Sequence, residues 1–265
     1  MAGDLEAVIS GLPFVHYPDA NVTSGVSDVL LTANQLFVLV GEAVGPDARR
    51  IIEVGPDGTT VVADLLAAAE LRPDTEGAVR SNPWSFVLRP DEEGFYVSEA
   101  AAGLILDVGM DGAVSIFAPA PGHEVLTGMA WGPDGRLFVA SFGQLPHPEG
   151  SGAVLAIDAE GNSTEVASGL TMVIDVAFDG DGGMLVLEYS TPLAEPQGSD
   201  AYRDASGRLI HIDSIGAQPR VLLESLARPT AMTVVGDRLF MSLAQGELAE
   251  GEGRIVSHLI PELLK

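Results

Sequence analysis

The chain contains no cysteine, so it forms no disulfide, offers no thiolate to a metal and carries no mark of its redox compartment. Positive charge is scarce: 13 lysines and arginines stand against 38 aspartates and glutamates, a formal net charge of -25. Nucleic acids and anionic membranes select a basic footprint, so neither is expected as a partner. No run of 18 apolar residues occurs, and no membrane insertion is expected. The opening MAGDLEAVIS has neither a basic segment nor a signal-type apolar run. The expectation is a soluble protein without a signal peptide in this chain, extracytoplasmic if a leader has been removed and cytoplasmic otherwise.

Several chemical signatures are missing as well. There is no G-x-S-x-G elbow and no histidine pair at metal spacing, and no EF-hand string of the D-x-D-x-D-G type with a closing glutamate. The FDGDGG piece has the glycines of a phosphate loop, but not its lysine or its strand-to-helix context.

What is present is a repeat. Leu126 to Ser141, LTGMAWGPDGRLFVAS, reads as two short apolar strands joined by a Gly-Pro-Asp-Gly turn. The same grammar recurs at Val26–Gly41, Pro83–Glu99, Val173–Glu188 and Pro229–Leu243. A looser segment and a second strand pair follow each copy, except that the last stops at RIVSHLI. Aligned on Val29, Phe86, Met129, Val176 and Met232, the copies lie 43 to 57 residues apart. About four short strands per such period is the mark of a β-propeller, in which each unit buries its faces against its neighbours. With 31 glycines and 17 prolines among 265 residues, the composition suits a turn-rich ring, read as a single domain over 1–265.

Asp4–Leu12 resembles the outer strand that ends a unit, as in Thr164–Leu170 and Val221–Pro229. The final unit lacks such a strand. The expectation is therefore an all-β fold, a β-propeller of five four-stranded blades with the N-terminal strand closing the last one. The alternative is a six-bladed propeller with one blade missing.

The repeat also sorts the loops. Turns such as Gly55–Gly58, Met110–Gly112 and Gly132–Gly135 are short and belong to one face of the ring. Glu42–Arg49, Leu65–Ser81, Phe142–Gly150, Tyr189–Ser206 and Ala244–Gly253 are long and belong to the other, where binding is expected. Asp28 and Asp175 occupy matched positions at the start of innermost strands, where the other copies have Ser85, Gly128 and Ala231. Glu42, Glu99 and Glu188 stand where second strands leave toward the long-loop face. Carboxylates converging on a channel mouth suit a hard divalent cation, calcium above all, and these five acids are its candidate ligands. The alternative role for Asp28 and Asp175 is to accept backbone N–H groups in a narrow channel.

Of five histidines, His123 and His147 fall in long-face loops and are the candidate general bases, whereas His211 and His258 fall in third strands. His16 stands alone near the start. Trp84 and Trp131 read as core residues of innermost strands, with Trp84, beside Asn82 and Ser85, at the channel edge.

The order SNPWSFVL, GFYVSEAAAGLILDVGMDG, LTGMAWGPDGRLFVASFGQLPHPEGSGAVLAID and GLTMVIDVAFDGDGGMLVLEY resembles the ScyD/ScyE family of propeller proteins, over nearly the whole chain. Members of that family usually carry one further blade and a secretion signal before the point where this chain writes GLPF, Gly11–Phe14. The family commonly has a DAGGN-like string where this chain has SEAAAG, Ser98–Gly103. The resemblance implies a secreted six-bladed propeller of the gluconolactonase-like superfamily, with a possible metal site and a role around secondary metabolism. It supplies no catalytic residues.

Three readings follow. The first is an accessory propeller that binds a small molecule, a protein partner or a divalent cation on its long-loop face. The second, by analogy with gluconolactonase-like, strictosidine synthase-like and virginiamycin lyase propellers, is a metal-dependent hydrolase or lyase. The third is a structural interaction scaffold.

Overall fold

The computed structural model describes residues 8–17, 22–66, 81–123, 125–144, 146–197, 200–203, 205–243 and 253–265. Apolar alternation and glycine-bearing turns convert the repeat into five antiparallel sheets, each folded up and down in chain order. A short hairpin, β1 (Val15–Tyr17) and β2 (Val22–Ser24), comes first. The first blade is β3 (Val26–Leu31), β4 (Leu36–Val40), β5 (Arg50–Gly55) and β6 (Gly58–Asp64). The second is β7 (Pro83–Leu88), β8 (Gly94–Glu99), β9 (Leu104–Gly109) and β10 (Val114–Pro119). The third is β11 (Leu126–Trp131), β12 (Leu137–Ser141), β13 (Gly152–Ile157) and β14 (Ser163–Leu170).

In the fourth blade β15 (Val173–Phe178) and β16 (Met184–Glu188) are followed by an inserted hairpin, β17 (Pro192–Gln197) and β18 (Asp200–Tyr202). The blade then resumes with β19 (Gly207–Ile212) and β20 (Arg220–Leu226). The fifth is β21 (Pro229–Val235), β22 (Arg238–Leu243) and β23 (Arg254–Leu259). A helical turn, Ile260–Leu263, ends the chain and buries Ile260. The innermost strands β3, β7, β11, β15 and β21 together line one central channel, so the molecule is a five-bladed β-propeller.

The blades are held by apolar side chains on their facing surfaces. Phe37, Leu39 and Ile51 of the first pack on Phe86, Phe95 and Leu106 of the second, with Phe37 and Phe95 edge to face at 5.0 Å. Ile105 meets Leu126 and Leu155; Phe138 and Val154 meet Val173 and Val186; Leu187 and Leu209 meet Leu239 and Met241. Each such side chain contributes about 1.5–3 kcal/mol on burial, so these interfaces outweigh any single hydrogen bond between blades. Among the described residues no comparable cluster joins the fifth blade to the first. There Val29, Leu31, Val235 and Ile255 remain more than half exposed.

Among the described residues the fifth blade has three strands. Of the segment expected to close it, residues 4–7 lie outside the described residues, and Val8–Leu12 is not in a strand. Gly11 adopts a φ of +79° and Pro13 follows, a pairing that turns the chain rather than extending it. Leu12 packs instead on Val38, Val40 and Ile52 of the first blade.

On the short-turn face, Asp91, Asp111, Asp134, Asp158 and Asp179 each accept the backbone N–H two residues on. These are Asx turns, and they account for a share of the chain's negative charge without any ligand. The long loops expected at 65–81 and 244–253 lie mostly outside the described residues.

Candidate functional site at the channel mouth

An innermost strand has a paired edge and an edge that faces the channel, where no strand supplies acceptors for its N–H groups. Near the start of all five innermost strands the ladder register shifts. The residues that follow this irregularity include Asp28, Ser85 and Asp175, which turn polar side chains to the unpaired edges.

Asp28 accepts the Val29 N–H at 2.8 Å on Oδ1. On Oδ2 it accepts the Ser85 hydroxyl at 2.8 Å and the Phe86 N–H at 3.1 Å. Asp175 accepts the Val176 N–H at 2.9 Å on Oδ1 and the Met232 N–H at 2.7 Å on Oδ2. Each carboxylate therefore ties its own blade to the next. The third blade makes its tie differently: the Thr127 hydroxyl donates to the Val173 carbonyl at 2.8 Å, and Ser98 of the second blade donates to the Thr127 carbonyl at 2.7 Å. Gly128 is required where it stands, since a Cβ there would lie 2.0 Å from Asp175 Oδ1 and 2.8 Å from its Cα.

Burial raises the pKa of Asp28 against the pull of its hydrogen bonds. Burial also pushes Asp175 up to about 8, opposed by the Met232 N–H and reinforced by the charge of Asp28. The channel has a volume of about 380 Å³. Besides the two acids it is lined by Ser27, Trp84, Met129, Ile174, Thr230 and Met232. Among the described residues no lysine, arginine or histidine lines it. Trp84 packs toward the core shared by the fourth and fifth blades, beside Ile174, which places its indole at the mouth as expected from its position next to Ser85.

The three glutamates expected at the mouth have separate tasks. Glu99, the last residue of β8, accepts the Ala102 N–H at 2.7 Å and, through its other oxygen, the Asn82 N–H. Its pKa is raised by burial. Glu188, the last residue of β16, accepts the Thr171 N–H at 2.7 Å and pairs with Arg208 at 2.6 Å. Glu99 thus pins the chain entering its blade to the loop leaving the second strand, and Glu188 pins it to Arg208 of β19. Glu42 stands two residues beyond β4, out of register with them, and accepts the Tyr17 hydroxyl at 2.7 Å. Among the described residues, no three histidine, aspartate or glutamate side chains gather closely enough to hold a metal ion.

His147 is buried in the loop after β12 with a φ of +58°. Its Nδ1 lies 2.8 Å from the Gly143 carbonyl, which fixes the N–H there and leaves the lone pair on Nε2. Its ring stands edge-on to Phe142 at 4.9 Å, with Tyr189 and Tyr202 beyond, and burial lowers its pKa. Burial thus favours its neutral form. His123 is spent between Ser141 Oγ at 3.3 Å and Glu165 at 3.6 Å. His211 is buried against Asp179 at 2.8 Å, on the short-turn side of its blade.

Sequence reasoning placed Asp28, Ser85, Gly128 and Asp175 at matched positions, and the bulges bear this out. It missed the Ser98–Thr127–Val173 chain of hydrogen bonds. A serine and a threonine on apolar strands of neighbouring blades were the available signal.

No family model matches the chain, and no curated protein matches it in sequence. Its fold is shared with solved propellers. Virginiamycin B lyase from Staphylococcus aureus superposes with a TM-score of 0.53 at 14% identity, over 93% of this chain and 72% of that one. A streptogramin B lyase gives 0.55 at 12% identity, over 95% and 72%. The tricorn protease gives 0.56 at 13% identity over 89% of this chain, which spans only 21% of the protease. At these identities the likeness is one of fold alone.

Proposed function

We propose that the protein is a ligand-binding propeller whose site is the long-loop mouth of the central channel, and that Asp28 and Asp175 receive a small ligand rich in hydrogen-bond donors or positive charge. The observation that carries this is that a buried carboxylate, Asp175, and a half-buried one, Asp28, line the same cavity of about 380 Å³, with no cation among the described lining residues. The order of motifs that resembles ScyD/ScyE propellers supports an accessory, binding role. Calcium belongs to the same proposal as one occupant of the mouth, with Asp28 and Asp175 as its carboxylates. Glu42, Glu99 and Glu188 are held elsewhere by their own partners.

A thermal melt of chelator-treated protein tests the proposal. A saturable rise in Tm with a divalent ion or a small polar compound, absent in Asp28→Asn and Asp175→Asn, is the expected result. Equal shifts in both variants and the parent would remove the channel mouth from the account.

A second reading, hydrolase or lyase, rests on Asp175 alone. A carboxyl titrating near 8 inside a cavity is suited to taking and returning a proton at neutral pH. Lactone and ester turnover that disappears in Asp175→Asn but survives in Glu99→Gln would favour it. Turnover unchanged in Asp175→Asn would end it.

A further inference from the structure

Resting on that reading of the channel mouth, we propose that its preferred occupant is a small organic ammonium, a primary amine on an apolar body, rather than a bare metal ion.

The acceptors set the first limit. A carboxylate has about four acceptor positions; three are used on Asp28 and two on Asp175. The N–H groups of Val29, Phe86, Val176 and Met232 already point at these oxygens. A calcium ion brought to the same place would face them and would need six to eight oxygen ligands. An ammonium needs only three acceptors, which the remaining lone pairs of Asp175 and Asp28 and a hydroxyl of Ser27 or Thr230 can supply.

The rest of the lining sets the second limit. Trp84, Met129, Ile174 and Met232 give the mouth an apolar, polarisable wall that a hydrated metal ion would leave unused. An indole face also attracts an ammonium, an effect worth more where water is excluded.

Charge supplies the third. Asp28 and Asp175 repel one another. They are the titratable side chains of the described lining, since β7, β11 and β21 place Ser85, Gly128 and Ala231 at the matched positions. A positive charge between them relieves that repulsion, so ammonium binding strengthens as pH rises and both acids ionise. The rise ends where the amine itself loses its proton, at about pH 10.

Calorimetric titration of the intact chain with 2-phenylethylammonium, its neutral counterpart 2-phenylethanol, and calcium chloride tests this at about pH 6 and about pH 8.5. The amine is expected to bind about tenfold or more tightly at the higher pH and the alcohol not at all. Asp175→Asn and, independently, Asp28→Asn should each weaken the amine about tenfold while keeping a cooperative melt. Alcohol binding as tight as the amine, or calcium binding that the amine does not displace, would overturn the ammonium inference and leave the channel mouth as a site. Failure of all three probes would overturn the inference and count against the channel reading as well.

Discussion

Asp175 releases its proton near pH 8 in the folded chain, against an ordinary value of 3.8, and that difference makes stability depend on pH. Between those values the folded state holds a proton that the unfolded state has lost. Stability is therefore greatest below the unfolded value and falls as pH rises, levelling off above 8. Asp28 is shifted in the same direction and adds to the slope. Asp175→Asn should lower stability at acid pH, because its amide cannot accept both N–H groups, yet flatten the decline between about pH 5 and about pH 8 in chemical denaturation. A slope unchanged from the parent would remove Asp175 as its source. Gly128→Ala should cost about 3 kcal/mol or more, since its methyl meets the Asp175 carboxylate and, less yieldingly, that residue's Cα. Truncating Asp175 to alanine in the same chain should recover only part of that loss.

Innermost strands of neighbouring blades are joined by a few side-chain hydrogen bonds, and these are where an individual hydrogen bond between blades can be measured. Thr127→Val keeps the shape of the side chain but leaves the Val173 carbonyl without its hydroxyl partner. A loss of about 1–2 kcal/mol is expected by urea denaturation, with Thr127→Ser close to neutral. A loss confined to Thr127→Ser would mean that the methyl, not the hydroxyl, matters. The strands themselves were legible in the sequence because turn residues and apolar alternation are local signals: the hairpins of the repeat appear where Gly, Asp and Pro residues, or the Thr-Ala-Asn-Gln turn of the first blade, placed them. The hairpins Val15–Ser24 and Pro192–Tyr202 were not, since each interrupts the repeat without copying its grammar. The matched positions of Asp28 and Asp175 were legible for the same local reason. The fate of Glu42, Glu99 and Glu188 was not, because a glutamate leaving a strand reads alike whether it faces a channel or caps the N–H groups of its own loop.

Across the ring, a formal net charge of -25 acts on every blade at once. Part of it is turn chemistry on the short-turn face, far from any requirement for a cation. Self-repulsion of this kind is screened as the Debye length shrinks from about 30 Å at 0.01 M salt to about 3 Å at 1 M. The melting temperature should therefore climb with sodium chloride, and a chloride series showing no change would indicate that the acids are individually compensated. Small ligands that enter at Asp28 and Asp175 should be visible in crystals soaked at about pH 8 with separate sets of small amines, alcohols and carboxylates. Amine density is expected in the channel, within hydrogen-bond distance of one of the two aspartates and against Trp84. Carboxylates in the channel, or amines bound only at other surfaces of the ring, would contradict it.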